Sequence, residues 1–195
     1  LNDMNFIENK ATMGGGFSSL FSKNVVLTRS CFSKNTVSKD GAGAFVTTTH
    51  RLSMEFVQFS NNFAKIKGGG LYIEDWNSIF KSTSQVTFMV YLNNSAGQKG
   101  ANVFISQIKQ FNMKNSIMEV NSKLSGASLS SNVENLYFER VVIKPTAIKI
   151  ILTEFKVEKS VEFKNVVFKC PGQSFLKEIS LFIEKAKKVH VTHHC

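Results

Sequence analysis

A short motif of aromatic, asparagine and glycine residues recurs along the chain at nearly regular spacing, which indicates a repeat protein. Four copies start with an aromatic residue, have asparagine three positions later, and continue into a glycine cluster followed by an apolar run, and a weaker fifth starts with Met118. Ten of the twelve glycines fall within these clusters, so glycine marks fixed positions rather than a flexible linker. The copies comprise Phe6/Asn9/Gly14, Phe32/Asn35/Gly41, Phe59/Asn62/Gly68, Tyr91/Asn94/Gly100 and a weaker fifth copy over 118–129.

Short strands with alternating apolar residues form a second series with nearly the same period. Successive strands lie 25 to 34 residues apart, and the longest step contains an insertion near residues 74–85. The series continues through the C-terminal third, where the motif fades, so the period does not depend on the motif. The apolar pairs are Val25/Leu27, Leu52/Met54, Val86/Phe88, Phe111/Met113, Leu136/Phe138, Val161/Phe163 and Val189/Val191.

A period of about 25 to 27 residues filled with short strands predicts an all-β parallel β-helix, or β-solenoid. Each coil should lie on the coil below at about 4.8 Å. Leucine-rich repeats have a similar length, but their leucine spacing is absent, and helical repeats would show a 3.6-residue period. We expect residues 1–195 to form one domain of about seven coils, motif-bearing over 1–130 and motif-poor over 131–195.

The motif residues have physical roles on this fold. The aromatic side chains should point inward and stack along the axis, and the asparagines should lie at turns and pass amide hydrogen bonds between coils. Glycine permits a sharp corner and close backbone approach. Proline cannot donate to a ladder between coils, which fits the presence of only two prolines. The expected ladders are Phe6, Phe32, Phe59 and Tyr91, and Asn9, Asn35, Asn62 and Asn94.

These residues resemble the repeats of chlamydial polymorphic membrane proteins, in which Phe-x-x-Asn is paired with Gly-Gly-Ala and an aliphatic residue. Repeats in β-helix surface proteins of protists are also similar. The resemblance covers about residues 1–130, with Gly-Gly-Gly or Gly-Ala-Gly in place of Gly-Gly-Ala. It implies a right-handed parallel β-helix that is displayed outside the cell and has an adhesive or structural role.

Composition argues against catalysis. Asp3, Asp40 and Asp75 are the only aspartates, whereas β-helix hydrolases need paired carboxylates and lyases need acidic calcium ligands. Most glutamates alternate with lysine, which is typical of a solvated strand face. We therefore expect no enzyme, no catalytic residue, no cofactor and no metal, with a polysaccharide lyase or hydrolase as the remote alternative.

The formal net charge of +10 is spread along the whole chain. No basic helix or RNA-binding aromatic motif stands out, so we expect a basic surface without a nucleic-acid partner. Acidic glycans are an alternative partner. No apolar run approaches the roughly 20 residues of a membrane span, so we expect none in this segment.

A few side chains remain as candidate sites. Trp76, the only tryptophan, lies in the insertion and could contact a ligand, or it could fold back with Phe80 over the solenoid. Asn93 begins a sequon and would be a glycosylation site in a secreted protein. Cys170 and Cys195 could form a disulfide, against the alternative that all three cysteines are free thiols.

The C-terminal region leaves two alternatives open. His190, His193 and His194 with Cys195 form a cluster of metal-ligand types, which we interpret as ordinary strand or turn residues rather than a metal site. Residues 175–188 fit a helix by one spacing and a strand by another.

Neither end of the sequence shows a polar cap, although a solenoid leaves unpaired strand edges at its ends. We therefore expect a fragment of a longer chain or a fibre subunit, covered end to end by further chain or by another copy. The predicted function is an extracellular or cell-surface structural or adhesive solenoid, and the alternative is a glycan-binding module.

Overall fold

The computed structural model describes residues 1–47, 49–76, 82–119, 129–144 and 155–169. Across these ranges the chain forms strands, bridges and turns, and no helix. The strands run parallel and stack into a β-solenoid of about five turns. The predicted all-β parallel solenoid is confirmed, and its right-handed sense stays a prediction.

Each coil lays strands on up to four faces, which we number in the order in which the chain meets them. Face 1 holds the aromatic-Asn motif, and its strands lie in register from coil to coil. Face 2 is a narrow sheet of two-residue strands. Face 1 contains β1 (Asn5–Ile7), β5 (Cys31–Ser33), β9 (Gln58–Ser60), β13 (Val90–Leu92) and β18 (Val167–Phe168), and face 2 contains β2 (Lys10–Ala11), β6 (Thr36–Val37), β10 (Phe63–Ala64) and β14 (Ser95–Ala96).

Faces 3 and 4 carry longer strands. Face 3 follows each glycine cluster, and face 4 holds the alternating apolar pairs. Three long strands bend around the corners of the solenoid and serve more than one face. Face 3 contains β3 (Phe17–Leu20), β7 (Ala44–Thr47) and β11 (Leu71–Glu74), face 4 contains β4 (Asn24–Thr28), β8 (Arg51–Glu55) and β12 (Thr83–Thr87), and the long strands are β15 (Val103–Glu119), β16 (Leu129–Lys144) and β17 (Phe155–Lys164).

The core consists of columns of inward side chains, one from each coil. On face 4, alternation sends Val25 and Leu27 inward, and both pair in register with Leu52 and Met54 of the next coil. Faces 1, 3 and 4 contribute to one continuous apolar cluster. Burial of each such side chain contributes about 1.5–3 kcal/mol, so the fold is stabilised by repetition of the same contact.

One predicted strand pair is shifted by two residues. The structure pairs Ser84 and Val86 with Leu52 and Met54, whereas the sequence predicted that Val86 and Phe88 fill these positions. Phe88 follows the strand at a corner, where its φ is +53° and its side chain is 42% exposed. The sequence could not locate this register because the insertion precedes the strand and serine is small enough to take an inward position.

The coil count also differs from the prediction. Six members of the face 4 series lie in the described residues and enclose five complete turns, whereas about seven coils were expected. The seventh pair, Val189/Val191, lies outside the described residues. Face 4 continues through β17, so the period persists without the motif in that strand, as predicted.

Candidate functional site

The inward aromatic ladder of face 1 has the predicted members and geometry. Ring centroids lie 4.8 Å apart for Phe6–Phe32, 4.9 Å for Phe32–Phe59 and 5.3 Å for Phe59–Tyr91. The rings are close to parallel, and all but Phe6 are fully buried. Met118 takes the next position in register, so the column continues as an apolar column after its aromatic members end.

The asparagine ladder runs beside the aromatic one. Each Nδ2 donates to Oδ1 of the next asparagine, at 2.9 Å from Asn9 to Asn35, 3.0 Å from Asn35 to Asn62 and 2.9 Å from Asn62 to Asn94. From the second coil onward, the Nδ2 groups of Asn35, Asn62 and Asn94 also donate to backbone carbonyls one coil below, as Asn62 does to Phe32 at 2.9 Å. At the end of the series, Asn94 donates to Asn102 at 3.0 Å. The predicted amide hydrogen bonding along the axis is thus present.

The first four motif asparagines do not themselves adopt a left-handed backbone. The preceding residue adopts a left-handed backbone in the first four copies, with φ between +52° and +57° at Glu8, Lys34, Asn61 and Asn93. This arrangement keeps the left-handed residue on the outside and turns the following asparagine into the core. The exposed Asn93 therefore lies at a corner, and its glycosylation stays a prediction.

The glycine clusters form the next corner, as predicted. Gly14, Gly41, Gly68 and Gly100 have φ between +63° and +69°, a region that favours glycine. At Gly43 the reason is contact rather than φ, because an added Cβ would lie 2.4 Å from the carbonyl oxygen of Gly70. The two coils can approach this closely only because residue 43 has no side chain.

The first coil presents an open edge to solvent. Phe6 is half-buried and stacks on Phe32 alone, and Asn9 donates to Asn35 at the start of its ladder. The Met4 carbonyl oxygen accepts a hydrogen bond from the second coil, and the Glu8 backbone N–H donates a hydrogen bond to the second coil. Because backbone groups alternate along a parallel strand, Asn5 and Ile7 direct their N–H and C=O groups the other way. The opposite end of the chain lies outside the described residues.

A second aromatic ladder, which the sequence analysis missed, lies on the outer side of face 3. Phe45 stacks on Tyr72 at 4.8 Å, and Tyr72 stacks on Phe104 at 4.9 Å. All three rings are buried, and Lys67 Nζ lies 4.8 Å from the Phe104 ring centroid. The signal was an aromatic residue four positions after the first glycine in three copies of the motif.

The insertion brings Trp76 back onto this outer ladder. Trp76 packs edge-on against Phe45 at 6.3 Å and against Phe21 at 6.2 Å, and its indole N–H donates to Glu74 at 2.6 Å. Tyr72 also donates its hydroxyl to Glu74, and burial together with this bond raises the pKa of Tyr72. Trp76 remains 45% exposed, so it both covers the solenoid and keeps a surface that a ligand could reach. Phe80 lies outside the described residues.

The aspartates take up separate structural roles. Asp3 forms an exposed ion pair with Arg29 at 2.8 Å, Asp40 accepts from the Lys67 amide at 3.0 Å, and Asp75 accepts from the Ser82 hydroxyl at 2.6 Å. Burial raises the pKa of Asp40. In the described part of the chain, no group of three or more histidine, cysteine, aspartate or glutamate side chains could hold a metal.

The C-terminal candidates fall elsewhere. The following candidates from the sequence all lie outside the described residues: Cys170 and Cys195, the histidines at 190, 193 and 194, and the ambiguous segment 175–188. Cys31 is a half-buried free thiol, and burial raises its pKa.

No protein-family model matches the chain, and no match is found among curated proteins or solved structures. Within the described ranges, no helix is long and apolar enough to span a membrane.

Proposed function

We propose that this chain is an extracellular structural or adhesive β-solenoid that is extended end to end, either by a second copy or by further chain of the same protein. The exposed edge of the first coil carries this proposal. Phe6 has one open ring face, and β1 has one unpaired side on which another parallel strand could pair. A further coil there would continue both ladders with the spacing already present.

The interior ladders support a structural role rather than a chemical one. Aromatic stacking adds about 0.5–1.5 kcal/mol for each pair beyond area burial, and each buried amide hydrogen bond adds about 1 kcal/mol. Both sets of contacts hold one coil on the next. The separate structural roles of the three aspartates likewise favour a scaffold over an enzyme.

The surface and the resemblance support an adhesive role. The motif resembles that of chlamydial polymorphic membrane proteins, and we propose a similar display outside the cell for this chain. Exposed aromatic side chains at Phe21, Phe56, Trp76 and Phe88 would suit contact with a partner. A glycan-binding module is the second candidate, because face 4 carries a long polar groove.

Sedimentation velocity over a range of protein concentrations tests the end-to-end proposal. We expect the whole chain to form multimers that grow with concentration. Ile7→Pro removes one outward N–H of β1 and should abolish the multimers. Ile7→Val keeps this N–H and should leave the multimers unchanged. Far-ultraviolet circular dichroism checks that both variants keep the fold. A wild-type chain that stays monomeric at every concentration would refute self-association.

A further inference from the structure

The outer side of face 4 differs in chemistry from the rest of the surface. From the second coil to the sixth, the first two of its three outward columns expose amide, hydroxyl and a few charged groups, whereas the third, with Lys114, Glu139 and Lys164, keeps the lysine–glutamate pattern. The first column contains Arg51, Thr83, Gln110, Asn135 and Ser160, and the second contains Ser53, Gln85, Asn112, Tyr137 and Glu162.

These columns line two adjoining depressions rather than a flat surface. One has a volume of about 440 Å³ and lies over the second to fourth coils, and the other has about 400 Å³ and lies over the fourth to sixth. Gln110 and Asn112 line both, so they form one groove along the axis. Five coils at about 4.8 Å spacing give it a length of about 19 Å. An extended polymer of several units would fit along it.

The lining is nearly balanced in charge. Arg51 and Lys114 are its cations, and Glu162 is its carboxylate. Lys114 is also engaged, because its Nζ lies 3.1 Å from a carboxylate oxygen of Glu139. The groove therefore lacks the concentrated positive charge that a polyanion would require, although the chain as a whole carries +10.

The uncharged groups are suited to hydroxyl-rich ligands. Amide and hydroxyl side chains both donate and accept, which is what a sugar hydroxyl needs from its partners. Internal bonds hold them in place, from Gln110 to Asn112 at 3.1 Å and from Ser160 to Asn135 at 2.7 Å. Such prior fixation lowers the entropy lost on binding.

Two exposed aromatic side chains border the same face. Phe56 and Phe88 follow β8 and β12 at the corner, with φ of +53° and exposed fractions of 52% and 42%. Their rings stack at 4.6 Å. This stacking between coils is a structural reason for phenylalanine at both positions, despite the cost of a left-handed backbone. The two rings do not line the groove, because the outward column that begins with Glu55 and Thr87 lies between, and Phe56 lines a separate depression with Arg29 and Gln58.

We propose that the face 4 groove binds an uncharged polysaccharide that lies along the solenoid axis. This inference rests on the second candidate of the proposed function, the glycan-binding module, and names its ligand class. End-to-end association and polysaccharide binding can be tested separately, because Ile7→Pro alters the edge of the first coil and leaves the groove unchanged.

Isothermal titration calorimetry of the whole chain tests the groove, with cellohexaose, laminarihexaose and mannohexaose as uncharged probes and heparin as the acidic probe. We expect at least one uncharged probe to bind equally at low and high salt. The double variant Gln110→Ala/Asn112→Ala should lower this affinity about ten-fold, the loss of roughly two hydrogen bonds. Gln98→Ala, an exposed glutamine outside the groove, should leave it unchanged.

Three results would overturn the proposal. The first is no binding of any uncharged probe, and the second is binding of heparin alone with loss at high salt. The third is an equal loss of affinity in Gln98→Ala and in the double variant. Circular dichroism spectra and unfolding midpoints of the variants exclude misfolding as the cause of a loss.

Discussion

The asparagine ladder predicts that equivalent residues of the motif differ greatly in their contribution to stability. Asn62 is fully buried and its side chain makes four hydrogen bonds, two accepted from Asn35 and one donated to each of Phe32 and Asn94. Asn9 is exposed at the open edge, and its side chain makes one of these bonds, to Asn35. Alanine at the two positions therefore removes the same atoms from different surroundings.

The magnitude for Asn62→Ala follows from the groups left behind. The backbone N–H of Asn35 loses its acceptor, and the side-chain Nδ2 of Asn35 loses one of its two acceptors. The Phe32 carbonyl oxygen loses one donor. The Asn35 backbone N–H is left without its acceptor, which costs about 1–3 kcal/mol, and the hydrogen bonds lost at Asn35 Nδ2 and at the Phe32 carbonyl add about 1 kcal/mol each, so we expect about 3–5 kcal/mol in total. For Asn9→Ala, Asn35 Oδ1 still accepts from the Asn9 backbone amide, and we expect about 1 kcal/mol or less.

Urea unfolding followed by circular dichroism measures both changes as differences in the free energy of unfolding. The measurement belongs at a protein concentration at which the chain is monomeric, so that association at the edge does not contribute. Similar losses for Asn62→Ala and Asn9→Ala would refute the reasoning, as would a loss below about 1 kcal/mol for Asn62→Ala.

Three further predictions concern the core and one charged cluster. Tyr91→Phe should raise the free energy of unfolding by about 1 kcal/mol in urea titrations, because the buried Tyr91 hydroxyl has no partner among the described residues; a loss of stability would contradict this. Gly43→Ala should lower it by about 2 kcal/mol or more, because the new Cβ would lie 2.4 Å from the carbonyl oxygen of Gly70, and an unchanged midpoint would show that the coils can separate there. Hydrogen bonds from Lys114 and, to a smaller extent, Tyr137 lower the pKa of Glu139 below its usual value of 4.5. The ionised Glu139 therefore stabilises the folded chain at pH values above 4.5, and this contribution is lost as the pH falls through the lowered pKa. Glu139→Gln should therefore flatten the acid side of the plot of thermal midpoint against pH, and an unchanged slope would contradict this.

Most of the fold was predictable because a solenoid converts sequence period directly into spatial contact. Phe32 and Phe59 are 27 residues apart and stack, so the repeat itself names the partner of each inward side chain. The asparagine ladder followed from the same reasoning. The candidate binding groove did not, because Gln110 and Asn135 are unremarkable polar residues until register places them in one column.

Two positions show where period alone was insufficient. Phe88 was expected inward, yet it lies at an exposed corner, because the insertion changes the spacing and Val86 fills the core position. Phe45 fits the alternation of its strand, yet it is buried on the outer side, because Tyr72 and Trp76 pack against it there. Both outcomes depend on neighbours from other coils that are distant in sequence.

The fold class, the repeating coil and the members of the inward ladders could be read from the sequence, because aromatic, asparagine and glycine residues recur at a fixed period. Tertiary structure alone decided which residues take the left-handed corners, how register crosses the insertion, and which outward side chains form a groove. The physical reason is that inward positions are set by periodic burial, a local property of the strand. Corners and outer faces are set by contacts between coils, which no single repeat contains.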